Sequence, residues 1–179
     1  LYAHNRSRNP RIGSSQDRNS PNTLRLDFRN NVIYNYGDRA GYTGGDPEAC
    51  EVNYVNNYCI KGPSSTYNFI LDGGTTAAHF YQSGNLIDLN LNGLLDGANT
   101  GWGMFSGTYL QFGSPFSVPA ATTESAPVAY QRVVALSGAM PWRRDSNDQR
   151  VAQTVRQQNG IIIDAVAQVG TWPTLNATT

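Results

Sequence analysis

Three asparagines at nearly equal intervals constrain this chain more than any other feature. Asn31, Asn57 and Asn85 stand 26 and 28 residues apart. Each sits in a similar setting: Phe28-Arg29-Asn30-Asn31-Val32-Ile33-Tyr34, then Tyr54-Val55-Asn56-Asn57-Tyr58-Cys59-Ile60, then Tyr81-Gln82-Ser83-Gly84-Asn85-Leu86-Ile87. The segments are short, aromatic or β-branched, and bounded by turn residues, as strands are. A recurring period of this size marks stacked supersecondary units. Asn tolerates the left-handed region and so can turn the chain between two strands. Asparagines stacked at the strand spacing of ~4.8 Å can also bond amide to amide. The spacing therefore predicts successive coils of a solenoid. Three unrelated strands, with Asn in ordinary turns, are the competing reading.

Composition agrees with a turn-rich β protein. Charged residues make up 15% of the 179, well under the usual quarter. Glycine (18) and tyrosine (10) are plentiful. This profile fits an extracellular protein better than a cytosolic helical one, and a secreted or periplasmic location is expected. The net charge is zero, so no global field draws a polyanion, and no nucleic-acid partner is expected. No stretch approaches the ~20 apolar residues of a membrane span, and no membrane partner is expected.

The solenoid pattern predicts two parts. Residues 1–96 read as coils, with long polar excursions at Ser14–Thr23, Gly37–Glu48 and Gly62–Tyr67. Such loops on a rigid scaffold commonly line binding sites. After Asp96 the period is lost. Residues 97–124 read as irregular chain punctuated by Gly and Pro. One helix is predicted over Ala126–Leu136. A second is capped by Asp145 or Ser146 and ends at Gly160. Ile161–Ile163 reads as a short strand and 165–175 as a tail. The whole of 97–179 is expected to cap and brace the coils, because a solenoid cannot leave its last apolar rung open.

Charge is concentrated at the start. Arg6, Arg8, Arg11 and Arg18 face one acid, Asp17, within 18 residues. Arginine supplies 12 of the 13 cationic side chains, and its planar fork matches carboxylates better than a lysine does. The pattern suits either a solvated basic face or a groove for an acidic ligand.

Arg8-Asn9-Pro10-Arg11 resembles the catalytic Arg-x-Pro-Arg signature of the pectate lyases. The likeness continues in order through Asp27–Gly37, Val52–Tyr58 with Lys61–Ser65, Gly138-Ala139-Met140-Pro141, Arg144-Asp145, Val151 and Val169–Pro173. It spans nearly the whole chain. The resemblance implies a right-handed parallel β-helix, mainly β, with a helical C-terminal brace. It implies part of a secreted polysaccharide lyase that cleaves polygalacturonate by Ca²⁺-assisted β-elimination. Arg8 takes the place of the catalytic base, while Arg11 and Arg6 can hold the substrate. A third arginine often present two positions beyond Arg11 is replaced here by Gly13. The calcium-binding acids belong to earlier coils, outside this chain, so no metal ligand is assigned within it. The N-terminal part of the same protein, as a separate chain or fragment, is the expected partner alongside the acidic polysaccharide. The chain by itself is then expected to be inactive. The rival reading is a non-catalytic β-helix that binds acidic polysaccharide as an adhesin or wall-associated module.

Two smaller features complete the sequence. Asp88-Leu89-Asn90-Leu91-Asn92-Gly93-Leu94-Leu95-Asp96 follows the D-x-N-x-N-G calcium-loop pattern with an acid at position nine, but position twelve is Asn99 rather than an acid. An ordinary strand and turn would read the same way. His4 and His79 lie far apart with no clustered soft ligands, against a zinc site. Cys50 and Cys59 are expected to be unpaired, since a straight strand between them would hold them ~30 Å apart.

Overall fold

The structure, a computed structural model, describes residues 1–13 and 24–170. The Ser14–Thr23 excursion, with Asp17 and Arg18, and the end of the tail lie outside the described residues. In chain order the elements are β1 (Tyr2–Ala3), β2 (Arg11–Ile12), β3 (Leu24–Arg29), β4 (Val32–Tyr34), β5 (Tyr42–Thr43), β6 (Cys50–Val55), β7 (Tyr58–Ile60), β8 (Leu71–Ser83), β9 (Leu86–Asp88), β10 (Phe105–Gln111), α1 (Ala126–Leu136) and α2 (Ser146–Gln157).

All ladders between the strands are parallel, and the result is a β-solenoid of about four turns with two helices. One sheet runs β1-β4-β7-β9. The other runs β2-β5-β8-β6-β3, with β10 added on β8. The long β8 serves two sides of the coil. Its start lies opposite β5 (Tyr42 with Asp72), and its end lies opposite β6, from Ala78 with Cys50 to Ser83 with Val55.

The asparagine period has a mechanical cause, divided between neighbours. Asn30, Asn56 and Gly84 take the left-handed conformation, with φ of 55°, 51° and 65°. The residue after each forms the ladder. Asn57 Oδ1 accepts from the Asn31 backbone N–H (2.9 Å) and amide (3.1 Å), and Asn85 Oδ1 does the same for Asn57 (2.9 and 3.0 Å). The remaining donors reach backbone carbonyls: Asn57 to Phe28 and Asn85 to Tyr54. Asn57 and Asn85 are fully buried, so these bonds satisfy groups that water cannot reach.

Inside the coils, Ile12, Phe28, Ile33, Val52, Tyr54, Cys59, Leu71, Phe80 and Ile87 form the core. The rings of Tyr2, Phe28 and Tyr54 stack with centroids 5.9 and 5.0 Å apart. The outer face of the first sheet is apolar as well. Val32, Tyr34, Tyr58 and Ile60 meet Ala126, Tyr130 and Val134 of α1 and Val155 of α2. Each valine and isoleucine among them contributes about 1.5–3 kcal/mol on burial. The helices therefore brace the side of the solenoid. The Asp145 carboxylate caps α2, accepting from the Asn147 and Asp148 N–H groups. His4 pins the first coil to this brace. Its Nε2 lies 2.7 Å from Thr154 Oγ1, and its Nδ1 accepts from the Asn35 amide at 2.8 Å.

The sequence reading needs three corrections. Residues 97–124 are not all irregular. β10 pairs with Leu71–Gly74 and again with His79–Phe80 across a register shift, so the stack runs on past Asp96. That strand carries no ladder asparagine, which is why the period hid it. Ile161–Ile163 form no strand. The second helix stops at Gln157, where Gln158 takes the left-handed cap (φ 50°) two residues before Gly160. Cys50 and Cys59 are free and buried. No helix among the described residues is long and apolar enough to cross a membrane.

Candidate active site

Arg6 and Arg8 lie in the turn between β1 and β2, and Arg11 opens β2. A buried asparagine fixes that turn. Asn9 is 1% exposed. Its Oδ1 accepts from the Asn5 amide at 3.0 Å, and its own N–H donates to the Ala40 carbonyl of the next coil at 2.8 Å. With Asn9 pointing inward, its neighbour Arg8 is exposed, on a left-handed backbone with φ 65°. A non-glycine residue at positive φ is uncommon and directs the side chain away from the path a strand would give it.

The three arginines have three different electrostatic settings. Arg6 lies 4.0 Å from Asp164, with both side chains mostly in solvent. A pair so exposed contributes little. Arg11 bonds the Glu48 carboxylate, and that bond raises its pKa above the ordinary value. Arg8 makes no hydrogen bond or ion pair among the described residues. All three are exposed, and Arg8 is the member of the trio without a counter-charge among the described residues.

Glu48 occupies a seat made by missing side chains. A Cβ on Gly13 would fall 2.0 Å from Glu48 Oε2, and a Cβ on Gly44 would be equally close. The replacement of arginine by Gly13 is thus matched by a carboxylate from the next coil. Nothing local in the sequence signals this contact, because Glu48 belongs to an excursion without period.

From Arg11 onward the outward face of the β2-β5-β8 ladder carries a polar row. Arg11 lies opposite Tyr42, Tyr42 opposite Asp72, and Asp72 opposite Ser106. Arg39 sits over the Tyr42 ring, 5.2 Å from its centroid, and 3.7 Å from Asp72. Ser106 donates to Asp72 Oδ1 at 3.0 Å, and Tyr67 OH is 2.6 Å from Ser106 Oγ. Arg39, Tyr42, Glu48, Asp72 and Tyr67 were not singled out from sequence. Arg39, Tyr42, Glu48 and Tyr67 were signalled only by membership of the loops flagged as possible linings, and Asp72, inside β8, not at all. Chemically the row offers a cation and an aromatic face on the coil after the arginine turn, which suits a carboxylate-bearing sugar.

For a divalent cation the fit is limited here. No group of three His, Cys, Asp or Glu side chains that could hold a metal occurs among the described residues. The carboxylates of the row, Glu48 and Asp72, are both committed to arginines. These residues do not make a calcium site beside Arg8.

Comparison with known proteins gives the family. No family model matches the chain. A protein of Neosartorya fischeri named "Probable pectate lyase C" is 31% identical over 183 residues, covering all of this chain and 41% of that protein. Its namesake in Aspergillus fumigatus is 32% identical over 184 residues with the same coverage. The Aspergillus flavus protein of that name is 33% identical over 102 residues, 56% of this chain and 22% of its own length. The chain therefore spans well under half of the relatives it matches, over their C-terminal part. An ordered likeness along the entire chain, on a parallel β-solenoid, makes it a member of the pectate lyase family.

Proposed function

We propose that this chain carries the arginine side of the active site of a secreted lyase that cleaves polygalacturonate by β-elimination. The observation that carries the reading is Arg8: it matches the family's base, it is exposed, and no acid among the described residues neutralises it. In its neutral form Arg8 takes the C5 proton of a galacturonate residue and becomes a guanidinium. The electron pair left at C5 forms the C4–C5 double bond. The C4–O bond breaks, and the glycosidic oxygen leaves with its pair and collects a proton from solvent. A hard cation bound by acids elsewhere in the whole protein would supply charge stabilisation for the C5 carboxylate. Arg39 and Tyr42 hold the sugar beside Arg8. Arg11, paired with Glu48, has less charge to offer than the motif suggests. The acids and the rest of the groove come from the remainder of the protein, so residues 1–179 alone are expected to be inactive.

The neutralised Arg11 also suits a second reading, a module that binds acidic polysaccharide without cleaving it. One experiment separates the two. In the intact protein, absorbance from unsaturated product on polygalacturonate should fall about 10²–10⁴-fold in Arg8→Ala, the usual contribution of a general base. Arg8→Lys should not restore it, because geometry and base strength both change. Full activity in Arg8→Ala would falsify the assignment. Polymer binding without product in the unmodified protein favours the module.

A further inference from the structure

His4 opens the arginine turn, and its ring sits in a network with a single proton arrangement. It follows β1 as Asn35 follows β4, and both take the left-handed conformation, with φ of 58° and 48°. The two stack in successive coils: the His4 N–H donates to the Tyr34 carbonyl and the Asn35 N–H to the Ile60 carbonyl, each at 3.1 Å.

The neighbours fix where the ring proton lies. The Ser64 N–H donates to Asn35 Oδ1 at 2.7 Å, so the amide nitrogen of Asn35 faces His4. His4 Nδ1 is then an acceptor, at 2.8 Å. The Thr154 hydroxyl gives its one proton to the Val151 carbonyl at 2.9 Å, so Thr154 Oγ1 accepts from His4 Nε2–H at 2.7 Å. The ring is therefore neutral, with its proton on Nε2. A second proton on Nδ1 would set donor against donor. Asn35 is fully buried, and turning its amide over would only move the clash to the Ser64 N–H. The surroundings also oppose the imidazolium. Burial, and then the Arg150 guanidinium of α2, push the His4 pKa below the ordinary value. From β4 the Tyr34 ring meets the imidazole edge-on at 5.3 Å, with its hydroxyl bonded to the Asn159 carbonyl. Thr154, Asn35 and Gly160 are uncharged, and no carboxylate pairs with the ring among the described residues.

The arginine turn is held at its two ends, by His4 and by Asn9. Between them the Asn5 and Arg6 carbonyls accept from the Gly37 and Asp38 N–H groups of the next coil, at 3.2 and 2.7 Å. Arg8 has no bond of its own there, so its place follows from how the ends are held. We propose that neutral His4 is the positioning residue of this turn: it keys the turn to α2 and to the next coil, and its protonation releases the turn and displaces Arg8. The effect on catalysis rests on the lyase reading; the effect on the turn does not. The unfolded chain takes up the proton more readily than the folded one. The contribution of His4 to stability is thus complete above the ordinary value of ~6.5 and is lost as pH falls through it toward the lower folded pKa.

The test uses the intact protein and His4→Gln, whose amide does not ionise. Deuterium exchange at the His4 ring carbon, read by mass spectrometry, should show titration below ~6.5. Over the same range, backbone exchange at Gly37 and Asp38, corrected for intrinsic rates, should quicken several-fold, and the thermal midpoint should fall by a few degrees. His4→Gln should lose both steps. The ratio of kcat/KM on polygalacturonate, unmodified over His4→Gln, cancels the titration of every other group. It should be flat above about pH 7 and fall about tenfold per pH unit once His4 is protonated. An imidazole that titrates at the ordinary value, or steps that persist in His4→Gln, would overturn the proposal. If His4→Gln does not fold, the unmodified protein decides: a His4 titration with no quickened exchange at Gly37 and Asp38 overturns it as well. Should the intact protein cleave nothing, the lyase reading fails alone, and exchange and midpoint still decide the role of His4.

Discussion

Among single residues, Glu48 decides how much of the arginine motif is available. Its carboxylate bonds Arg11 from a seat left by Gly13 and Gly44. The Arg11 side chain is 38% exposed and that of Glu48 22%. A pair this accessible contributes about 0–1 kcal/mol to stability. Its weight on ligand binding is larger, because it sets the charge beside Arg8. Glu48→Gln should leave the thermal midpoint nearly unchanged and tighten oligogalacturonate binding several-fold at low ionic strength. The gain should fade as salt screens it. Calorimetric titration at two salt concentrations measures this. A variant that is much less stable yet binds no better would make Glu48 a structural residue only. Arg8 and Arg11 were legible because they sit in one short motif. Glu48, Arg39 and Asp72 were not. Their approach to the motif depends on which coil lies against which, and an excursion of unknown path conceals that.

The stacked elements were legible to the extent that each coil repeats a physical requirement. A ladder amide must sit over the next one, so Asn31, Asn57 and Asn85 recur, and they showed the solenoid. Where no buried amide is needed, no marker exists. The two-residue strands β2 and β5, and β10 beyond the last ladder asparagine, therefore escaped detection. The helices were legible for a local reason: Asp145 caps α2 and Ser137-Gly138 follows α1. The ladder also makes a graded prediction. Asn57 is the middle rung. It accepts two bonds from Asn31 and donates to Asn85 and Phe28. Asn57→Ala strands several buried groups at about 1–3 kcal/mol each. It should cost several times more than Asn31→Ala, whose half-buried side chain donates to Arg29 and Asn57 and lies at the end of the ladder. Denaturant unfolding of the two variants ranks them. Equal losses would mean the amides are interchangeable turn formers rather than a cooperative stack.

Across the whole molecule, the two ends of the stack are finished differently. At one end the chain folds back over itself. Ala98 pairs with Ile87, and Trp102 packs against Phe105 and Tyr109 with ring centroids 5.2 and 5.7 Å apart. At the other end β1, β2 and β3 are the outermost strands of their sheets among the described residues. Tyr2, Leu24 and Leu26 there are only partly buried against the core. A flat edge with free backbone groups and apolar side chains is a template for another strand. The helices pack on the outer face of β1, through Leu1 and Ala3, and no described strand pairs with these outermost strands on their other side. Residues 1–179 produced alone should therefore self-associate through it, with a sedimentation coefficient that rises with concentration. An inward-pointing charge at the edge, as in Leu26→Lys, should suppress association, because pairing would bury an ammonium. Co-expression with the rest of the protein should suppress it too, by covering the same strands. The two interventions differ in one respect: only the second can also bring polygalacturonate cleavage. A 1–179 chain that stays monomeric at every concentration and still cleaves the polymer would show that this edge needs no cover and that Arg8 works without acids from another segment.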